Sequence, residues 1–151
     1  MVNLFNYNET LISQFVDEFC KAATLPAEVA YACVYRSSAF PNSRQVFGIT
    51  TEDGQNYALK IDTDVGNDRV RNEFAVLEKL FPYFQTKEQT KVVEPIYLSP
   101  GGQFHVTQFV DHKTAKQMIC TANTDTQAAQ VYRRAGQWLN DLHSYGPSHQ
   151  D

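Results

Sequence analysis

The chain has 151 residues, of which 42% are apolar and 20% charged, and its 13 basic and 17 acidic side chains give a net charge of −4. This composition is typical of a folded chain with one domain or two small lobes, and it excludes wholesale disorder and a strongly basic surface that coats nucleic acid. No apolar run reaches about 18 residues, and the N-terminus lacks the basic start of a signal peptide. We therefore expect a cytoplasmic protein with no membrane partner.

The three cysteines are Cys20, Cys33 and Cys120. Their number is odd and no C-x-x-C pair occurs, so the sequence predicts neither a disulfide framework nor a metal site. Reduced and mostly buried thiols are expected, as in a reducing compartment.

The first element is predicted to be an amphipathic helix over residues 8–24. Apolar residues recur at helical spacing between Leu11 and Cys20. Asn8 is a candidate N-cap, and Pro26 disfavours continuation of the helix.

Three strands are predicted next, over residues 30–35, 45–51 and 56–62. They are rich in β-branched and aromatic residues, and Asp53-Gly54 is typical of a hairpin turn. Because the connections are short, neighbouring strands should be antiparallel.

A second helix follows, with Asn67 or Asp68 as its cap. Its apolar residues from Val70 to Leu80 keep helical spacing, and Pro82 is predicted to end it.

Two further strands are predicted over residues 92–99 and 103–110. Pro95 makes the first of them an edge or bulged strand. A short helix over 115–119 and a long amphipathic helix over 126–144 complete the chain. The residues of the long helix that are predicted to face inward are Ala128, Val131, Tyr132, Ala135, Trp138, Leu139 and Leu142.

This order of elements predicts an α+β fold. Five mostly antiparallel strands form one sheet, with one helix inserted after the third strand and further helices at the C-terminal end.

The most informative pair of residues is Lys60 and Glu73. Lys60 stands inside a strand, where burying an ammonium is costly unless it meets a carboxylate or an anionic ligand. A separation of 13 positions allows a strand lysine to reach a glutamate in the first turns of the next helix. We therefore predict that the two side chains form a pair, with a solvated lysine and a surface carboxylate as the alternative.

Several segments resemble, in the same order, the nucleotide-binding lobe of aminoglycoside phosphotransferases and related choline-kinase-like enzymes. The segments are YALKI at 57–61, RNEFAVLEKL at 71–80, VEPIY at 93–97, FHVTQFV at 104–110 and AGQWLNDLHS at 135–144. The resemblance implies a kinase-like N-lobe over residues 1–110. It also implies a hinge and the first helices of an incomplete second lobe over residues 111–151.

The resemblance also implies roles for individual residues. Lys60 would contact the α- and β-phosphates of ATP, and Glu73 would orient it. Thr107 would lie behind the adenine, while the carbonyl of Gln108 and the amide of Val110 would bind its edge.

The loop over residues 36–44 stands where such enzymes carry a phosphate-binding loop, but it contains no glycine. The hydroxyls of Ser37 and Ser38 are candidate substitutes. The last four residues, SHQD, are similar to the start of a kinase catalytic loop, which would make Asp151 the catalytic base.

The resemblance implies ATP and, in a longer parent protein, Mg²⁺ and a small-molecule hydroxyl as phosphate acceptor. We expect the chain alone to be inactive, because the downstream asparagine and metal-binding aspartate of such kinases are not identified in it. Two alternatives remain. One is a non-catalytic, pseudokinase-like regulatory or partner-binding module, in which a partner or a second copy of the chain covers helix 126–144, and the other is an unrelated α+β interaction domain.

Overall fold

A computed structural model of the protein describes residues 4–26, 28–64 and 68–146. This part of the chain forms an α+β fold with four helices and a five-stranded antiparallel sheet, as the sequence predicts. None of these helices is both long and apolar enough to cross a bilayer. The elements are α1 (Leu4–Ala22), β1 (Val29–Arg36), β2 (Arg44–Thr51), β3 (Asn56–Asp62), α2 (Arg69–Gln85), β4 (Pro95–Leu98), β5 (Phe104–Gln108), α3 (Ala115–Cys120) and α4 (Asp125–His143).

The sheet has the strand order β1-β2-β3-β5-β4, so β3 is its central strand. Every neighbouring pair of strands is antiparallel. Gly54 adopts a positive φ of 82° in the β2–β3 turn, as expected of an Asp-Gly hairpin. Pro95 lies in the edge strand β4, and the register shifts between Pro95 and Tyr97. The prediction of an edge or bulged strand is therefore confirmed.

The sheet has a hydrophobic face and a polar face, and β3 contributes side chains to both. Leu59 and Ile61 are buried in a core shared with α1, and the intervening Lys60 points to the opposite face because side chains alternate along a strand. The buried core residues are Ile12, Phe15, Val16, Phe19, Cys20, Phe47, Ile49, Leu59, Ile61, Phe104 and Val106.

The described chain divides into two compact units. One comprises residues 4–78 and 93–109, and the other comprises residues 79–92 and 110–146. The first unit holds the sheet, α1 and the first part of α2. The second holds the end of α2 together with α3 and α4.

In the second unit, the end of α2 packs against α4. The rings of Phe84 and Trp138 stack with their centroids 5.6 Å apart and their planes 18° from parallel. The Tyr83 hydroxyl donates to the carbonyl oxygen of Asp141 at 2.8 Å, and Trp138 Nε1 donates to the carbonyl of Lys91 at 3.2 Å. These contacts all lie within the second unit, and they hold the end of α2 against α4.

Two helix ends differ from the prediction. α2 continues through Pro82 to Gln85, so the prediction that Pro82 ends it is wrong. Proline removes one N–H donor, but only three more residues follow in the helix, and among them the fully buried Phe84 fixes the last turn. α1 begins at Leu4, so Asn8 lies inside it and is not its cap. No proline or glycine between Leu4 and Asn8 stops the helix from extending.

The predicted burial of the thiols is also wrong in part. Cys20 is buried in the core, whereas Cys33 and Cys120 are exposed. Cys33 lies in the edge strand β1, whose described residues are exposed from Ala30 onward. A strand with a partner on only one side keeps its apolar residues open to solvent unless a helix covers it.

The long helix α4 buries less than its pattern predicts. Val131 is its one buried residue in the described chain, while Tyr132 is 65% and Leu139 is 47% exposed. The six-residue α3 and the end of α2 are too short to cover the whole apolar stripe of a 19-residue helix.

We predict that Phe19→Ala lowers the free energy of unfolding by about 3–5 kcal/mol, because it leaves a cavity between α1 and the sheet. Phe19 is completely buried and its ring lies 5.2 Å from that of Tyr57. Urea denaturation followed by circular dichroism measures the change. Val76→Ala is the control, since Val76 is 52% exposed, and equal destabilisation by both variants would contradict this assignment of the core.

Candidate functional site

Lys60 on β3 and Glu73 on α2 form the ion pair that their spacing predicts. Lys60 Nζ donates to Glu73 Oε1 at 2.8 Å and to Oε2 at 2.6 Å. The two side chains are 43% and 40% exposed. The ammonium is therefore held by the carboxylate and remains accessible from solvent.

Contacts on both sides of Glu73 fix its position on α2. Arg71 donates to the carbonyl oxygen of Pro100 at 2.6 Å, in the turn between β4 and β5. Gly102 in that turn has a φ of 69°, and a Cβ atom there would lie 2.5 Å from Arg71 Nε. Glycine is therefore needed both for the backbone conformation and for the approach of the guanidinium. Phe74 is buried and its ring lies 6.0 Å from that of His105.

Two arginines and two aspartates link the end of β3 to β2 and to the start of α2. The buried carboxylate of Asp62 lies 3.3 Å from Nε of both Arg44 and Arg69. The carboxylate of Asp64 lies 3.0 Å and 3.4 Å from the terminal nitrogens of the same arginines. A hydrogen bond from Ser43 and the charge of the arginines hold the pKa of Asp64 below its ordinary value.

The carboxylate of Glu73 has a second basic neighbour. His105 Nε2 lies 3.6 Å from Glu73 Oε1, slightly beyond the usual hydrogen-bond distance. His105 and then Lys60 lower the pKa of Glu73 to about 2, against the effect of burial, which alone would raise it. Glu73 is therefore ionised at neutral pH and available to hold a cation.

A pocket of about 210 Å³ opens beside the Lys60–Glu73 pair. This volume is below the 300–1,000 Å³ typical of ligand pockets, so it suits a phosphate-sized group rather than a whole nucleotide. Three basic side chains and two acidic ones contribute to it, and the carboxylate of Asp64 beside the two arginines balances the third positive charge. The lining residues are Tyr35, Arg44, Gln45, Val46, Lys60, Ile61, Asp62, Arg69, Val70 and Glu73.

An apolar strip continues along the same face of the sheet. Ala58, two residues before Lys60, pairs with Gly48 on one side and with Thr107 on the other. Ala58 and Gly48 are only half-buried, and the nearby Val34 is 52% exposed. The strip can therefore accept a flat apolar group next to the ammonium of Lys60.

The residues predicted to bind adenine lie at and just beyond the end of β5. The buried Thr107 donates its hydroxyl to the carbonyl of Gln108 at 3.2 Å. The N–H of Gln108 donates to the carbonyl of Glu94 at 2.9 Å. Val110 is exposed, and its N–H donates to none of the described residues. The Gln108 carbonyl keeps a second lone pair, so one acceptor and one donor are available.

The predicted phosphate-loop residues do not line the pocket. Ser37 Oγ accepts a hydrogen bond from the N–H of Phe40 at 3.2 Å, and Ser38 is exposed. The hydroxyl of Ser37 is therefore used in a hydrogen bond within the loop itself. Asp151, the predicted catalytic base, lies outside the described residues.

Four residues that surround the pair are not predicted from the sequence. They are Arg44, Asp62, Arg69 and His105, and they come from different elements. For Asp62 and Arg69 the sequence does carry a signal, because charged residues stand at both ends of the β3–α2 connection. For His105, only the pairing of β5 with β3 shows that it faces Glu73.

Comparison of the chain with protein-family models, with curated proteins and with solved structures finds no match in any of the three. Across residues 4–26, 28–64 and 68–146, no three His, Cys, Asp or Glu side chains come together as a metal site. The geometry of the Lys60–Glu73 pair and of the adjoining strip is therefore the basis for any functional inference.

We predict that Glu73→Gln lowers the free energy of unfolding at pH 7 by about 1 kcal/mol, a modest value because solvent screens a pair whose side chains are 43% and 40% exposed. The pKa of Glu73 is about 2 in the folded chain, below the ordinary 4.5, so its contribution is complete above about pH 5. It is lost as the pH falls towards 2.

Urea denaturation at pH 7, 4 and 3 measures this difference, which should narrow at the lowest pH. Glu78→Gln is the control, because Glu78 is exposed on the same helix. A difference between Glu73→Gln and the native chain that stays constant from pH 7 to pH 3 would contradict the assigned role of the carboxylate.

Proposed function

We propose that this chain is the ATP-binding part of a small-molecule phosphotransferase similar to aminoglycoside phosphotransferases. In the longer parent, the γ-phosphate of ATP passes to a hydroxyl of a small molecule. The observation that carries the proposal is the Lys60–Glu73 ion pair, whose half-exposed ammonium faces a pocket of about 210 Å³.

The pair supports phosphate binding because its ammonium is both oriented and exposed. Glu73 holds Lys60 Nζ with both carboxylate oxygens, so little rotamer entropy is left to lose when a phosphate binds. The ammonium keeps a third proton, which it can donate to a phosphate oxygen. In this proposal, the pocket holds phosphate groups and the rest of the nucleotide lies outside it.

The apolar strip supports adenine binding. A purine placed against Ala58 and Val34 would cover the half-buried strip, with Thr107 behind it. The carbonyl of Gln108 and the N–H of Val110 would bind the edge of the ring. A cytoplasmic location is consistent with ATP as ligand and with the three free cysteines.

Mg²⁺ belongs to the proposal only for the parent protein. The described residues offer no cluster of donors for the ion, so none of them is assigned to it. We propose that residues 1–151 alone transfer no phosphate, because a complete catalytic loop and a metal-binding aspartate are not identified in their sequence.

A second candidate function is a non-catalytic module that associates through α4. Tyr132 and Leu139 are seven residues apart, so they lie on one face of α4, and both are exposed. A second copy of the chain would cover this face with a matching apolar one. A homodimer is therefore proposed for this alternative.

For nucleotide binding, we predict that ATP stabilises the chain and that Lys60→Met weakens ATP binding by about tenfold or more, because a charge-assisted contact to phosphate is lost. Isothermal titration calorimetry gives the affinity of each protein. Lys21→Met is the matched control, since Lys21 is exposed on α1, across the sheet from Lys60. Equal affinities of Lys60→Met and the native chain would contradict the proposal.

For the alternative, Leu139→Glu is expected to shift a dimer towards monomer, because it places a charge in an apolar interface. Sedimentation velocity at several protein concentrations measures the shift. Asn140→Glu adds the same charge at the adjacent exposed polar position and should have little effect. A native chain that is monomeric at every concentration would contradict self-association.

A further inference from the structure

His105 is a buried histidine with an unusual environment. Its side chain is 2% exposed, and neither ring nitrogen makes a hydrogen bond to any described residue. A buried polar group without a partner is destabilising, so its presence calls for an explanation. An apolar residue of similar size would pack against Phe74 without this cost.

The sheet register places His105 beside the ion pair. His105 on β5 is paired directly with Lys60 on β3, so both side chains project from the same face. The nearest carboxylate oxygen is Glu73 Oε1, 3.6 Å from His105 Nε2. A shift of about half an ångström would bring the two atoms to an ordinary hydrogen-bond distance.

The two basic neighbours of Glu73 differ in their freedom to move. Lys60 is 43% exposed and lines the pocket, so its ammonium can donate its third proton to an anion and lengthen its contacts with the carboxylate. His105 is enclosed, and the ring of Phe74 at 6.0 Å restricts it. When Lys60 engages an anion, one oxygen of Glu73 loses part of its hydrogen bonding, and His105 is the remaining donor within reach.

We propose that His105 is a positioning residue that holds the carboxylate of Glu73 in place while Lys60 binds a phosphate group. In this role the imidazole donates Nε2–H to Glu73 Oε1. No proton is transferred and no bond to the ligand is formed. This inference rests on the proposed function, because it assigns Lys60 to a phosphate of ATP.

The test compares His105→Leu, which removes the donor, with His105→Gln, whose side-chain amide can place an N–H near the position of Nε2. Three quantities are measured on each protein. The first is the affinity for ATP by calorimetry, and the second is the melting temperature. The third is the pKa of the Glu73 carboxyl, from the ¹³C chemical shift of its carboxyl carbon as a function of pH.

For His105→Leu we expect a melting temperature equal to or above that of the native chain, because two unpartnered nitrogens leave the interior. ATP affinity should nevertheless fall by about threefold to tenfold. The pKa of Glu73 should rise above about 2, since the second basic neighbour of its carboxylate is removed. His105→Gln should retain most of the native affinity and the low pKa.

Two results would overturn the proposal. One is a His105→Leu protein with native ATP affinity and an unchanged Glu73 pKa, and the other is a His105→Gln protein that behaves like His105→Leu. If His105→Leu does not fold, His105→Phe retains a ring at this position and replaces it in the comparison.

The titration of the Glu73 carboxyl also distinguishes a failure of the proposed function from a failure of the role assigned to His105. A native chain that binds no ATP contradicts the proposed function, and it therefore also overturns the role of His105 during phosphate binding. The contact between His105 and Glu73 would still be decided by the change in the Glu73 pKa. A native chain that binds ATP, with no difference among the His105 variants, overturns this inference alone.

Discussion

The ion pair between Lys60 and Glu73 is the constraint on which the polar face of the sheet depends. Lys60 lies on the central strand, and the first part of α2 supplies the carboxylate that pairs with it. The buried Val70 and Phe74 hold the same part of α2 in place. Arg71 fixes the helix at the β4–β5 turn, and Arg69 fixes its first residue at the end of β3. The pocket beside Lys60 lies next to these contacts.

The hydrophobic face has a different role. Helix α1 covers it with five buried residues, so the stability of the sheet does not rely on the face that carries the pocket. A half-exposed apolar strip and a half-exposed ammonium can therefore persist there without collapse of the fold. Sites that bind ligands are commonly left open by a scaffold that is stabilised elsewhere.

Much of this architecture was predictable from local patterns, and the failures have identifiable causes. The alternation in β3 and the spacing of 13 residues predicted the pair of Lys60 and Glu73, because both depend on residues close in sequence. The role of His105 depends on the pairing of β5 with β3, which no local pattern specifies. Pro82 was misjudged because the burial of Phe84, a tertiary contact, outweighed the loss of one hydrogen bond. The partial exposure of α4 likewise depends on which neighbours are long enough to cover it.

The alternation of side chains along β3 also disfavours misfolded sheets in which β3 is paired out of register. β3 is paired on both sides, with Val46 and His105 opposite Lys60. A slip of one residue would turn the ammonium of Lys60 towards the phenylalanines under α1 and would expose Leu59 and Ile61 on the polar face. Such a slipped sheet would lose its core and its ion pair together. Any molecule that attains the hydrophobic core in this register therefore also has Lys60 on the polar face, where α2 supplies Glu73.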